Sequence, residues 1–243
     1  MCTINDCISL AEFFQVNAHR LEELELSFSS QVYVSLREWG DLQKDYTVAK
    51  NAFAYKILQL DQGQTETIFH NLKELSLGNA DFRHALTETA YAFQLHRLRA
   101  LKLRESTATV ELLSTIAAIT SSVELVSLDI ELNSTTNQDN EAFQRFFELS
   151  LPNLEDVYIH VDASDDEATS LHWRSVFAHG RQINRLVYSR RHRVQGNTVS
   201  ESPRTPFSTT EALDGDILAL PSVVNLKSVA ICDDLATLVS IFV

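Results

Sequence analysis

A chain of 243 residues, 44% apolar and 22% charged, has the composition of a folded globular protein, which excludes collagen, low-complexity fibres and intrinsic disorder. Thirty-three acidic residues against 20 basic ones leave a formal charge of −13, a field that repels phosphate backbones and anionic membranes and makes nucleic acid a poor partner class. No run reaches the roughly 18 apolar residues of a membrane helix, and Met1 to Asp6 lack the basic flank of a signal peptide, so the expectation is a protein inside the cell, cytoplasmic or nuclear, with no membrane partner.

In chain order, Asn5 to Val16 has the apolar spacing of a helix, and then a short motif begins to recur: an aliphatic residue, two variable ones, an aliphatic, one variable, an aliphatic. The first copy is Leu21, Leu24, Leu26, and the next clear ones are Leu72, Leu75, Leu77 and Leu98, Leu101, Leu103, each led in by a histidine and a polar residue (His19-Arg20, His70-Asn71, His96-Arg97). Between the first two lies 27–69, where a helix over about Thr47 to Leu60 is expected but no triplet is visible, leaving either a hidden unit or a long excursion. Looser copies follow at Val123, Val126, Leu128; Leu154, Val157, Ile159; Ile183, Leu186, Tyr188; and Leu226, Val229, Ile231.

Between triplets the apolar period lengthens toward that of a helix, with faces Phe82, Leu86, Phe93; Leu112, Ile116, Ile119; Phe143, Phe146, Phe147; and Trp173, Val176, Phe177. Asp81, Ser106, Thr107, Asp139, Asn140, Asp165 and Asp166 precede or open these helices and are expected to cap them. First positions of successive triplets are 51, 26, 25, 31, 29 and 43 residues apart, with 51 read as about two units and 43 as one unit carrying an insertion. Strand and helix alternating at this period predict an α/β solenoid of seven to eight irregular units over residues 1–243, a single domain with a parallel sheet on the concave side and helices on the convex side.

Segments such as Leu21-Glu22-Glu23-Leu24-Glu25-Leu26 and Leu72-Lys73-Glu74-Leu75-Ser76-Leu77 resemble leucine-rich repeat proteins over about residues 8 to 235. The irregular period and Pro152-Asn153-Leu154-Glu155-Asp156-Val157 are most similar to the repeat region of fungal F-box proteins, which implies presentation of substrates to an SCF-type ubiquitin ligase. No F-box-like segment precedes the first repeat. The Asn or Cys that regular repeats carry three places after the last strand aliphatic is replaced here by Ser29, Ala80, Ser106, Glu131, Asp162, Arg191 and Asp234.

Chemistry is sparse. Cys2, Cys7 and Cys232 show neither disulfide nor zinc spacing, and no nucleophile elbow, phosphate loop or metalloprotease motif occurs, so no catalytic residue, metal or cofactor is expected. The one suggestive cluster is Asp156, Tyr158 and His160, alternating along a strand, followed by Asp162, Asp165 and Asp166. Carboxylates beside an imidazole suit metal binding or acid–base work, and a metal-dependent or hydrolase-like enzyme built on Asp156 to Asp166 is the alternative reading. Solvated strand residues and helix capping account for the same residues. Arg181, Arg185, Arg190, Arg191, His192 and Arg193 form a basic run that fits an acidic partner, an import signal, a grip on phosphate or plain loop chemistry. Residues 194–210 are too polar to join a core, and Ser202-Pro203 and Thr205-Pro206 have the form of proline-directed phosphorylation sites.

The expected function is therefore a non-enzymatic scaffold that binds protein through the variable strand positions: Glu23, Glu25, Glu74, Lys102, Arg104, Asp129, Asp156, Tyr158, His160 and Arg185. Apolar residues near both ends (Ile8, Leu10, Phe13, Phe14; Leu235, Leu238, Val239, Ile241, Phe242, Val243) predict further flanking repeats or end-to-end association.

Overall fold

The computed structural model describes residues 4–28, 52–60, 63, 65–133, 137–149, 151–163, 183–192 and 227–232. Seven strands form one sheet in strict chain order: β1 (Glu23–Ser27), β2 (Glu74–Gly78), β3 (Ala100–Arg104), β4 (Ser127–Asn133), β5 (Asp156–Ala163), β6 (Arg185–His192) and β7 (Ser228–Cys232). Every neighbouring pair is parallel. Parallel neighbours require a crossover, and α1 (Ile4–Asn17), α2 (Leu86–Ala92), α3 (Thr109–Ile119) and α4 (Asn137–Phe147) are the α-helices among the described residues. The α/β class with a parallel sheet is thus as the periodicity implied.

The same backbone joint recurs between strands. At each strand entry one carbonyl accepts two consecutive amides of the next unit: Glu22 from Lys73 and Glu74, Lys73 from Arg99 and Ala100, Arg99 from Val126 and Ser127, Val126 from Glu155 and Asp156, Glu155 from Asn184 and Arg185, Asn184 from Lys227 and Ser228. This joint fixes the register, pairing Leu75 with Leu101, Leu101 with Leu128, Leu128 with Val157 and Val157 with Leu186. Because side chains alternate along a strand, that register sends all these aliphatics to one face, where the helices bury them.

Two expectations about the repeat are corrected by the pairing. Leu101 aligns with Leu128 and Leu103 with Ile130, so the fourth triplet is Leu125, Leu128, Ile130, all fully buried, and the half-buried Val126 supplies the joint carbonyl instead. The spacings from Leu72 onward become 26, 27, 29 and 29, more regular than the first alignment gave. Second, β1 pairs directly with β2, so no strand lies between them in the sheet. Of the helix expected over about Thr47 to Leu60, residues 47–51 lie outside the described residues, and the described part is a π-helical turn, Ala52–Ile57, that ends before Leu58.

That turn is anchored by aromatics. Phe53 meets Phe28 and Phe82 edge to face, with centroids 5.4 and 5.9 Å apart, and stacks on Phe93. Phe93 stacks in turn on Phe69 at 4.6 Å, and Phe14 of α1 closes the chain of rings at 5.3 Å. Such pairs each add about 0.5–1.5 kcal/mol beyond their buried area.

Helix starts depart from the expected capping. Neither α2, which begins after Ala85, nor α3, which begins after Ala108 in the left-handed region, has a side-chain cap. Asp81 instead accepts from the Arg83 amide and guanidinium, whose pKa it raises, and Asp139 and Asn140 lie inside α4. Ser106 has a different task. It is 3% exposed, and its Oγ accepts the Ala80 amide at 3.1 Å and donates to the Arg104 carbonyl, tying the turn after β2 to the turn after β3. The adjoining residues Asn79 and Glu105 take equivalent left-handed conformations, with φ of 56° and 49°. Ser106 therefore joins two successive turns through a buried side-chain oxygen.

At the amino-terminal flank Ile8 and Phe13 are exposed as expected, and so is Val16, whereas Leu10 is half-buried and Phe14 lies in the core. The carboxyl-terminal apolar residues, 164–182 with Asp165, Asp166 and Trp173, and 193–226 with Ser202 and Thr205 lie outside the described residues.

Candidate functional site

Parallel sheets are ordinarily covered on both faces. Here one face carries the core, while the side chains that alternate with it on β1 to β6 stay exposed or half-exposed. Register lines them up in rows running across the strands. One row is Glu23, Glu74, Ala100, Ser127, Asp156, Arg185; the next is Glu25, Ser76, Lys102, Asp129, Tyr158, Val187. All ten variable positions singled out from the sequence fall on this face, and the structure brings them together on one continuous surface.

What period-two alternation could not give is their pairing. Arg104 Nη2 donates to Asp129 Oδ2 at 2.7 Å across adjacent strands, and this hydrogen bond raises the arginine pKa. Asp129 Oδ1 is buried without a hydrogen bond and faces His160 Nε2 at 3.9 Å from the opposite side. Arg185 Nη1 donates to the Tyr158 hydroxyl at 2.8 Å, which raises the arginine pKa, with Tyr158 and then Asp156 adding charge attraction. His160 thus neighbours Asp129 of β4, and Tyr158 is held by β6. The side chain of Asp162 and residues Asp165 and Asp166 lie outside the described set. Among the described residues no group of three or more His, Cys, Asp or Glu is placed to hold a metal ion.

An open hollow of about 460 Å³ occupies the β1–β5 part of the face. It is lined by Glu23, Glu25, Glu74, Lys102, Asp129 and Tyr158 together with three small side chains, Ser76, Ala100 and Ser127. Asp156 and His160 do not line it. These three small residues were not among the positions singled out from the sequence. Their signal was there, small residues at strand positions that elsewhere hold long polar ones.

Comparison with family models finds no match, and neither does comparison with curated proteins or with solved structures. No helix among the described residues is long and apolar enough to cross a membrane.

Proposed function

We propose that this chain is a leucine-rich-repeat-like solenoid forming a single domain, and that it serves as a non-enzymatic scaffold binding protein through its exposed sheet face. The observation that carries this is a parallel-sheet face on which no described element packs, where exposed and half-exposed polar side chains of successive strands stand in register. Such a surface offers many independently variable contacts, which suits macromolecular recognition better than enclosure of a small molecule. The recurring two-amide joint supports the repeat reading, since each unit repeats its neighbour's connection. By the resemblance to fungal F-box proteins, the role is substrate recognition for an SCF-type ubiquitin ligase.

The test is affinity capture from cells with cross-linking. Wild type and an Asp129→Arg, Tyr158→Ala variant are compared, with Arg83→Ala, off the sheet face, as control. Loss of a partner only in the face variant, with cross-links to β1–β6 side chains, supports the reading. Undiminished capture, or cross-links confined to the helical side, opposes it. Recovery of ubiquitin-ligase adaptor subunits decides the ligase role separately.

A further inference from the structure

The face is electrically lopsided, and the imbalance names the chemistry of what it holds. On β1 and β2, Glu23, Glu25 and Glu74 are all exposed, share the rim of the hollow, and have no ion-pair partner among the described residues. Farther along, the acid that faces the hollow from β4 is already neutralised, Asp129 by Arg104. Lys102 stands between these regions on β3, in register with Ser76 on one side and Asp129 on the other, and no ion pair is recorded for it among the described residues.

We propose that the hollow binds an extended polypeptide segment carrying a lysine or arginine over Glu23, Glu25 and Glu74 and a carboxylate two residues away over Lys102. This rests on the reading of the face as a protein-docking surface and goes beyond it in stating the partner's chemistry. Neighbouring strands lie about 4.7–4.9 Å apart, so the β2 carboxylate and the β3 ammonium are about one strand apart at the backbone, and the β1 acids about two. Alternate residues of an extended chain recur every 6.4–6.8 Å or so on one side, which falls between those separations. A polycation fits less well because Lys102 repels its second charge. A polyanion is repelled by three carboxylates and by the formal −13 of the whole chain, which also steers cationic segments inward. Small side chains among the lining, Ser76 beside Glu25 and Ala100 beside Glu74, take up little space next to the carboxylates, which suits the stem of a long basic side chain.

The experiment uses the full chain and four labelled twelve-residue peptides with Gly/Ser flanks, whose cores are Lys-x-Asp, Lys-x-Lys, Asp-x-Asp and Ser-x-Ser, titrated by fluorescence anisotropy at about 0.15 M salt, where exposed pairs are screened beyond about 8 Å. The Lys-x-Asp peptide should bind about fivefold or more tighter than the others, the upper range for an exposed charge pair. Lys102→Glu should invert the order, making Lys-x-Lys the best ligand, and Glu25→Gln with Glu74→Gln should erase the lysine preference, while circular dichroism stays unchanged in each case. Equal or undetectable binding of all four peptides, or an order that Lys102→Glu leaves unaltered, overturns the proposal. So does sedimentation showing a self-associated chain that Glu74→Gln dissociates, which would give the hollow to a second copy. Cross-links of a captured partner to the same face, obtained while the peptides fail, would leave the docking surface standing and remove only this chemistry.

Discussion

Ser106→Ala should destabilise the fold by more than a solvent-facing serine substitution, for a reason that can be read atom by atom. Ala80 is 1% exposed, so water cannot replace the Ser106 Oγ that its amide uses at 3.1 Å. The Arg104 carbonyl loses the hydroxyl donor but keeps the Asn79 amide at 2.9 Å, and Thr109 Oγ1 still donates to the Ser106 backbone carbonyl. One buried donor is therefore orphaned, a cost of about 1–3 kcal/mol, a sizeable share of a total stability of order 5–15 kcal/mol. Ser76→Ala on the open face is the matched control and should stay within about 0.5 kcal/mol. Urea denaturation at constant m-value measures both, and amide exchange at Ala80 should accelerate in Ser106→Ala alone. Equal midpoints for the two variants, with unchanged exchange at Ala80, would refute the bridge between turns.

Three other outcomes follow from the packing. Thr89 is 1% exposed and its Oγ1 has no hydrogen-bond partner, so Thr89→Val should raise stability by about 1 kcal/mol, read by thermal melting, because an isosteric methyl removes an unpaid desolvation. Leu101→Asp should be far more damaging than Lys102→Asp one residue away, by several kcal/mol against about 0.5, since only the first buries an unpaired charge; similar melting points would contradict the facing of β3. His96 is held below its ordinary pKa of 6.5, chiefly by burial and then by Arg97, with Glu124 opposing. The unfolded chain then binds more protons just below pH 6.5, so this residue's contribution to stability falls with acidification through that window and is regained as pH rises, and His96→Gln should flatten that part of the melting-point profile.

The strand positions were legible because an aliphatic pair two residues apart, flanked by polar residues, has only one consistent facing. The fourth triplet was misframed because Val123, Leu125, Val126, Leu128 and Ile130 admit two local frames, and only pairing with Leu101 and Leu103 decides between them. The 51-residue gap was opaque for a related reason. Direct β1–β2 contact is non-local, and the segment returns through Phe53 and its ring contacts, which no periodicity announces. Caps were misassigned because tight turns through left-handed Glu105 and Ala108 leave side-chain oxygens such as that of Ser106 pointing at the neighbouring turn and not at the helix start. For the site, alternation showed which residues face outward. The Arg104–Asp129 and Arg185–Tyr158 partnerships depend on cross-strand register and diagonal reach, and so emerged only from the assembled sheet.

The central claim is that the exposed sheet face is where a protein partner docks. Residue-resolved footprinting of the partner complex tests it most directly: hydroxyl-radical labelling of the chain alone and with its captured partner, read at Tyr158 and His160 on the face and at Phe13 on the exposed side of α1. The account predicts strong protection of Tyr158 and His160 with Phe13 unchanged. Protection of Phe13 with Tyr158 and His160 still fully reactive would contradict it.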